Sequence, residues 1–413
     1  MAWREDHAIG FEEHLAGVGP LPVPDARGRH ELIAAIDRSG LLGRGGAGFP
    51  TALKMRAAAA RRGRRIVVAN GAEGEPASHK DWALLARAPH LVLDGAVLAA
   101  AAIGAGEVIV CVKRDSSEAI DALATAIGER PQTAGVEISL VEVPSSYLAG
   151  EESALTNYLN TGQVLPTLVP PRPFERGVDG RPTLIQNVET LANLALIARR
   201  GPEWFRGLGT QDDPGSTLIT LGGAVAVPGV YEVPSGIALA DLVEQAGGSS
   251  TPIRAFLIGG YAGTWVAPER ALDEPVDRAR RARGWGLGAG VVIALPATAC
   301  GVCETARVAR CLAEESSGQC GPCVHGLGSI ADLLDEISEG IAEPGAHRWL
   351  ERWADDVAGR GACGHPDGTV RFVASALSTF RQEIDEHESG GNACRGRSGG
   401  SSVLPLPDQA EAR

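Results

Sequence analysis

The chain has 413 residues, enough for two or three hydrophobic cores, since single cores stop growing near ~250–300 residues. Fifty-four glycines and a 44% hydrophobic content describe a globular protein rich in turns, not a disordered one. A net charge of −13 excludes nucleic acid as a partner, because phosphate binding needs clustered cations and only short groups such as Arg61-Arg62-Gly63-Arg64-Arg65 occur.

Residues 1–30 read as a loose lead-in. The start, Met1-Ala2-Trp3-Arg4-Glu5-Asp6, lacks the apolar run of a secretory leader. Apolar residues at helical spacing in Glu31–Ile36 predict a helix, and it runs into Gly43-Arg44-Gly45-Gly46-Ala47-Gly48-Phe49-Pro50. Glycines this dense let backbone N–H groups approach an anion closely, so the loop and the helix after it form a phosphate cradle. The spelling G-x-G-x-x-G also fits a dinucleotide fingerprint, but that fingerprint needs a strand before it and an acid about 20 residues beyond, and both are missing.

A β-branched strand, Arg65–Asn70, ends in the polar turn Gly71-Ala72-Glu73-Gly74-Glu75-Pro76, the place where α/β folds keep ligands. The helix Leu91–Ala102 and the strand Val108–Val112 continue a layered α/β unit. The whole run Leu91–Val112 is apolar, but Asp94 and Glu107 make it a poor membrane span. Glu151-Glu152, a proline-rich loop over Pro166–Pro173 and Thr183–Leu194 complete this unit, assigned to residues 31–210.

From Ser216 the order becomes ββαβ: strands Thr217–Leu221 and Gly229–Val233, helix Leu239–Ala246, strand Ala255–Ile258. That order predicts a β-grasp-like module over 211–296. Helical periodicity in Leu327, Ile330, Leu334, Ile337 and in Val373, Leu377, Phe380, Ile384 then predicts a helical bundle over 297–388. A Gly/Ser/Pro-rich tail, 389–413, is expected to be disordered, with Cys394 in it. The fold class is thus multidomain α+β.

Five of the eight cysteines lie between Cys300 and Cys323. The start without a leader and the poor membrane span place the chain in the cytoplasm, and in a reducing compartment such clustering suggests metal before disulfide. Cys300-x-x-Cys303 and Cys320-x-x-Cys323 fit the spacing of a zinc site. A helix over Glu304–Glu315 would hold the two pairs about 18 Å apart, however. The competing arrangement is a compact loop, Ser317-Gly318-Gln319-Cys320-Gly321-Pro322-Cys323, with a remote thiolate at Cys363, as in iron–sulfur sites.

The glycine loop, Asn70–Asp81, Tyr147–Leu155, Arg181–Leu194 and Glu315–Cys323 together resemble the NADH-binding flavin subunit of respiratory complex I. The same likeness extends to its relatives in NAD-reducing hydrogenases and formate dehydrogenases, and runs from about Glu31 to His387. The resemblance implies an FMN-binding α/β domain, a β-grasp-like domain and a helical bundle with a 4Fe-4S cluster. It implies that Gly43, Arg44, Gly45, Gly46, Gly48 and Lys54 hold the FMN phosphate. Asn70 and Asn187 would lie near the flavin ring, Phe49 would stack on adenine, and Glu73, Glu75, Glu151 and Glu152 would line the NAD(H) cleft. Carboxylates beside a ribose would repel an extra 2′-phosphate and favour NADH.

Hydride would pass directly to the flavin, with the protein supplying orientation and no catalytic acid or base, and single electrons would leave through the cluster. The acceptor would be a redox partner subunit carrying further iron–sulfur clusters, without membrane insertion by this chain.

Departures from the pattern fall at functional positions. Ser317 stands where the family has the first cysteine of the loop, leaving Cys320, Cys323 and Cys363 as matched thiolates. A fourth ligand from Ser317 or from a neighbour such as Cys311, and a three-iron cluster, are all compatible with this. Ala72 replaces an acid, Arg56 an aromatic, and Val169 and Arg172 a lysine and a phenylalanine. An arginine plane accommodates a 2′-phosphate, so the alternatives are a flavoprotein fed by NADPH or ferredoxin, or a non-catalytic assembly subunit with zinc on Cys300, Cys303, Cys320 and Cys323.

Overall fold

A computed structural model describes residues 7–25, 27–130, 135–278, 284–390 and 402–407. Two sheets organise them. The first has four parallel strands, Ile66–Gly71, Glu107–Lys113, Glu137–Val143 and Thr183–Asn187, with Ile66–Gly71 between Glu107–Lys113 and Thr183–Asn187. Side chains alternate across a strand, and both faces are covered. Val67, Ala69, Val108 and Val110 pack under the helices Gly28–Ser39, Thr51–Ala59, Pro89–Ile103 and Val188–Arg200, while Ile66, Val68, Ile109 and Cys111 meet Ala149, Leu155 and Val178. As expected from the sequence, a helix and not a strand precedes the glycine loop.

The run Leu91–Val112 divides into the helix Pro89–Ile103 and the strand Glu107–Lys113. Among the described residues no single helix is long and apolar enough to cross a membrane. Asp94 is buried in this helix and is met by His14 at 2.7 Å and by Arg130 and Arg199. Burial alone would raise its carboxyl; these partners hold it down to about 2. His14 lies on the helix Phe11–Val18, so the lead-in is not loose from Phe11 onward: a buried ion pair fastens it.

Helices Pro89–Ile103 and Val188–Arg200 cross at Gly95, where a Cβ would stand 1.9 Å from the Leu191 carbonyl oxygen. That oxygen belongs to a helix backbone and cannot give way. Gly95→Ala is therefore expected to destabilise the chain by about 1–3 kcal/mol or more. Thermal unfolding would check this, and an unchanged midpoint would contradict the crossing.

The second sheet has five strands in the order Gly229–Pro234, Ser216–Gly223, Val291–Pro296, Ile253–Ile258 and Thr264–Val266. Val291–Pro296 runs parallel to Ser216–Gly223 and antiparallel to Ile253–Ile258. The ββαβ order does not reveal this strand, because it pairs with a segment some 70 residues back and carries no hairpin turn to announce it. With it in place the ββαβ unit closes as a β-grasp-like sheet. Phe256, Ile258, Val292 and Ala294 face the helix Leu239–Gln245, whereas Ala255, Leu257, Ile293 and Leu295 face the helical bundle. One sheet thus serves two cores.

The bundle comprises Gly301–Glu314, Gly328–Glu339, His347–Val357, His365–Thr379 and Arg381–Glu388. Of the tail expected to be disordered, residues 391–401 with Cys394, and 408–413, lie outside the described residues. Residues 402–407 contradict that expectation by packing on the bundle. The Val403 and Leu404 N–H groups donate to the Glu304 carboxylate at 3.0 and 3.1 Å, and Leu404 is fully buried.

Candidate functional site

The cradle begins with Gly43, whose N–H donates to the Phe49 carbonyl at 2.9 Å and closes the loop on itself. Gly46 and Gly48 have φ of 110° and 63°, a region that strains any other residue. A Cβ on Gly45 would lie 3.3 Å from Asn187, so the loop lies against the carboxyl end of the central strands. Phe49, at the loop's end, is 53% exposed. An exposed phenyl beside an open loop is free to meet a ligand.

Arg44 departs from its expected role. Its side chain is wholly buried, donating to Asp213 at 2.6 Å and to the carbonyls of Pro214 and Ser216 at 2.9 and 3.1 Å, while its N–H donates to Thr190 at 2.9 Å. It is a strut that ties the loop to the second sheet, with both its guanidinium and its backbone N–H engaged within the protein. A charge so placed needs its partner, because an unpaired buried guanidinium would be costly.

Lys54 lies on the helix Thr51–Ala59 and pairs with Glu152. Asn70 donates to the Gly150 carbonyl at 2.9 Å and accepts from the Ala72 N–H at 3.1 Å, joining the turn after the first strand to the Tyr147–Glu152 turn. Gly74 makes this contact close: a Cβ there would stand 2.1 Å from the Tyr147 carbonyl oxygen. Glu151 caps the helix Glu152–Thr161, accepting from Ala154 N–H at 2.8 Å and Ser153 at 2.6 Å, and Asn187 caps Val188–Arg200 through Glu189 N–H at 2.9 Å. Both are helix caps first.

Glu73 and Glu75 flank Gly74 on this turn. Burial raises both carboxyls; the Asp81 charge adds to Glu73, and Glu75 is pushed up to about 7 although it accepts from Tyr261 N–H at 2.7 Å. A carboxyl raised from 4.5 to about 7 costs nothing below pH 4.5; its cost grows as pH rises from 4.5 to 7 and is fully present above that. Glu75→Gln keeps an acceptor for Tyr261 and removes the charge. Its expected effect is higher stability than the parent at pH 8, on the order of 3 kcal/mol, with little difference at pH 5. Melting curves at the two pH values would show it; equal offsets at both would refute it.

Residues that the sequence reading did not single out complete the floor. Lys80 is buried and paired with Asp81 at 2.6 Å and Glu189 at 3.1 Å; burial opposes its charge, but these acids and Glu73 outweigh it. Asn187 donates to Asp81 at 2.6 Å. Nothing in the sequence announces this burial, because Lys and Asp are mostly exposed unless they are paired, and the partner Glu189 is more than a hundred positions away.

Beyond Glu151 lie the thiols. The Tyr147 N–H donates to Glu315 at 2.8 Å, and the Tyr147 ring meets His365 edge-on at 5.3 Å, so the acid turn touches the start of the Ser317–Cys323 loop. Cys320 and Cys323 share a hydrogen bond, and Cys320 accepts from the Ala362 N–H next to Cys363. Burial pushes the Cys363 thiol up, and the Glu151 and Cys320 charges beside it add to the effect. The three thiols thus lie together near the acidic turn, and one of them, Cys323, sits on a π-helical turn, Pro322–Leu327, of the kind often found at functional sites.

Ser316, not Ser317, reaches Cys323 by its hydroxyl. Cys311 lies in the last turn of the helix Gly301–Glu314, where burial and the Glu315, Glu314 and Glu75 charges push its thiol up to about 12. Cys300 caps the amino end of Gly301–Glu314, and Cys320 lies beyond its carboxyl end. A helix of 14 residues spans about 21 Å, so one zinc shared by both pairs is ruled out, and the zinc-bearing assembly role built on it falls.

Tests of fit favour both groups. The Thr51 hydroxyl, at the first turn after the glycine loop, and the Gln186 amide nitrogen, in the strand beside Asn187, are buried without partners, as groups awaiting a ligand would be. Three convergent thiols are soft donors suited to an iron–sulfur cluster.

A glycine loop, an acidic turn and adjoining thiols are the parts a flavin and iron–sulfur oxidoreductase subunit needs. Family models agree: residues 36–196 match the Nuo51 FMN-binding domain, 300–387 the NADH-ubiquinone oxidoreductase-F iron-sulfur binding region, and 218–254 the SLBB domain. The chain is 35% identical to the NADH-quinone oxidoreductase F subunit of Streptomyces coelicolor over 404 residues, covering 94% of this chain and 90% of that one. It is 34% identical to the NADH-quinone oxidoreductase F 2 subunit of Rhizobium meliloti, covering 86% and 88%. A crystal structure of an NAD+-reducing NiFe-hydrogenase in the air-oxidized state superposes with a TM-score of 0.84 at 32% identity, over 92% of this chain and 67% of that one. The chain belongs to the family of NADH-quinone oxidoreductase F subunits. It is an oxidoreductase subunit of the NADH dehydrogenase type, with an FMN-binding domain and a 4Fe-4S binding region.

Proposed function

We propose that the chain takes hydride from NADH onto FMN held at Gly43–Gly48, Lys54, Asn70 and Asn187, and delivers the electrons singly through a cluster on Cys320, Cys323 and Cys363. When bound, the flavin supplies the change from two-electron to one-electron transfer. The glycine loop offers N–H groups to the phosphate, and Lys54 offers a compact charge once a phosphate competes with Glu152. Phe49 gives an exposed face for adenine, and Glu73, Glu75, Glu151 and Glu152 line the cleft for ribose and nicotinamide. Lys80, Asp81 and Glu189 fix the floor, so the cleft is rigid and needs no proton-transfer group.

The observation that carries this reading is the short path from the acidic turn through Tyr147 to Glu315 and the thiols. Arg56 donates to Asp37 at 2.8 Å, so its charge is already engaged and is poorly placed to welcome a 2′-phosphate. That supports NADH over NADPH. The relatives are named as subunits or belong to a hydrogenase, which supports a partner subunit carrying further clusters. Seven cysteines among the described residues stand outside any disulfide, which suits the cytoplasm.

Rapid mixing of anaerobic protein with NADH, NADPH or reduced ferredoxin tests the donor. Bleaching of the flavin band by NADH first and fastest is expected. Bleaching only by ferredoxin, or by NADPH ahead of NADH, would overturn the assignment.

A further inference from the structure

At the far end of the helix Gly301–Glu314, away from the loop thiols, a second group of donors converges. Cys300 caps the helix, Cys303 lies in its first turn, and His387 comes from the helix Arg381–Glu388 at the end of the bundle. Their ligand atoms all lie within 4.8 Å of one another, with Cys300 Sγ 3.3 Å from His387 Nε2. We infer that Cys300, Cys303 and His387 form a second, mononuclear metal site for a thiolate-preferring divalent cation, zinc by chemistry, separate from the iron–sulfur cluster.

Geometry separates this from a cluster site. Two sulfurs on one zinc, at about 2.3 Å each, stand about 3.8 Å apart in a tetrahedron and never more than about 4.6 Å. Three donors within 4.8 Å therefore close on one ion with only slight movement. Two thiolates and one neutral imidazole balance a 2+ charge, their two thiol protons leave on binding, and a fourth position is left for water or another donor.

The surroundings are built for it. The Cys303 N–H points at Cys300 Sγ at 3.4 Å, the backbone-to-sulfur contact that steadies a ligating thiolate. Cys300 and His387 are both buried, and a Cβ on Gly301 would stand 2.4 Å from the Phe380 ring, so the two segments pack closely there. Glu383, one turn before His387, also accepts from the Gly301 N–H at 2.9 Å. A metal here would fasten the first helix of the bundle to its last.

A C-x-x-C pair at a helix start also suits a reversible disulfide. An imidazole 3.3 Å from Cys300 would also activate a redox thiol, so the disulfide is the rival outcome that the test below separates.

The test is elemental analysis of the whole chain purified without oxygen, for zinc and iron together. One zinc per chain beside full cluster iron is expected, with X-ray absorption at the zinc edge showing two sulfurs near ~2.3 Å and nitrogen near ~2.0–2.1 Å. Cys303→Ser and His387→Ala should each lose that zinc while flavin and iron stay at parent levels, and His387→Cys should restore it. Should the variants misfold, the absorption edge of the parent still answers. The proposal is overturned by a zinc-free parent with full iron, by oxygen and nitrogen donors alone, by zinc that survives Cys303→Ser (an adventitious ion only), or by a Cys300–Cys303 disulfide in the mass spectrum.

Discussion

Replacing Cys363 by alanine is expected to strip the cluster iron from the chain while leaving flavin bound and still bleached by NADH. The matched ligand set is already short, with Ser317 in place of a thiolate, so this substitution leaves Cys320 and Cys323 alone. Changes to groups that merely orient a ligand typically cost 10–100-fold in metal affinity; loss of one of three primary thiolates exceeds that. Cys363 also sits next to the Ala362 N–H that steadies Cys320, on the rim nearest Glu151. Iron and acid-labile sulfide per chain give the first measurement. Reduction of a one-electron acceptor, falling while NADH bleaching persists, gives the second. Cys303→Ser, at the opposite end of the helix, is the control and should keep full iron. Iron unchanged in Cys363→Ala, or lost in Cys303→Ser, would mean that the cluster is held elsewhere.

Lys54→Ala should weaken FMN retention by roughly 10- to 150-fold, the range of about 1.5–3 kcal/mol for a hydrogen bond to a charged group. In the structure Lys54 answers to Glu152, so the substitution also leaves that carboxylate, 43% exposed, without its cation. Because Glu152 is so exposed, this loss carries little stability, and the effect should fall on flavin content rather than on folding. Glu152→Gln separates the two: it frees Lys54 and should hold FMN at least as well as the parent. Equilibrium dialysis of the deflavinated chain measures both. Equal affinity in Lys54→Ala and parent would remove the lysine from the phosphate site.

Features that depend on neighbours in the chain are legible without coordinates. The glycine loop after a helix, the polar turn after Arg65–Asn70 and the Cys320–Cys323 loop each announce themselves within a dozen residues, because backbone conformation there is dictated by glycine, proline and local hydrogen bonds. Helical and strand periods likewise place most elements, since burial on one face imposes them.

The direction of individual side chains is another matter. Arg44 reads as a ligand cation beside a phosphate loop, yet it turns toward Asp213 because that acid, 169 positions on, is brought beneath the loop by the second sheet. Val291–Pro296 is hidden because its partner strand is remote, and the tail segment 402–407 because its docking needs Glu304 and Tyr261 already assembled.

By itself, then, the order of residues determined a flavin cradle, an acidic turn and a thiol loop, since each is a short-range pattern. Which thiols and imidazole lie together was decided only in three dimensions. The 14-residue helix Gly301–Glu314 holds its two cysteine pairs at opposite ends and gives each a different distant companion, Cys363 to one and His387 to the other. A rigid rod between two like motifs cannot be inferred from their spacing alone, and it is what divides one apparent zinc site into two chemically distinct places.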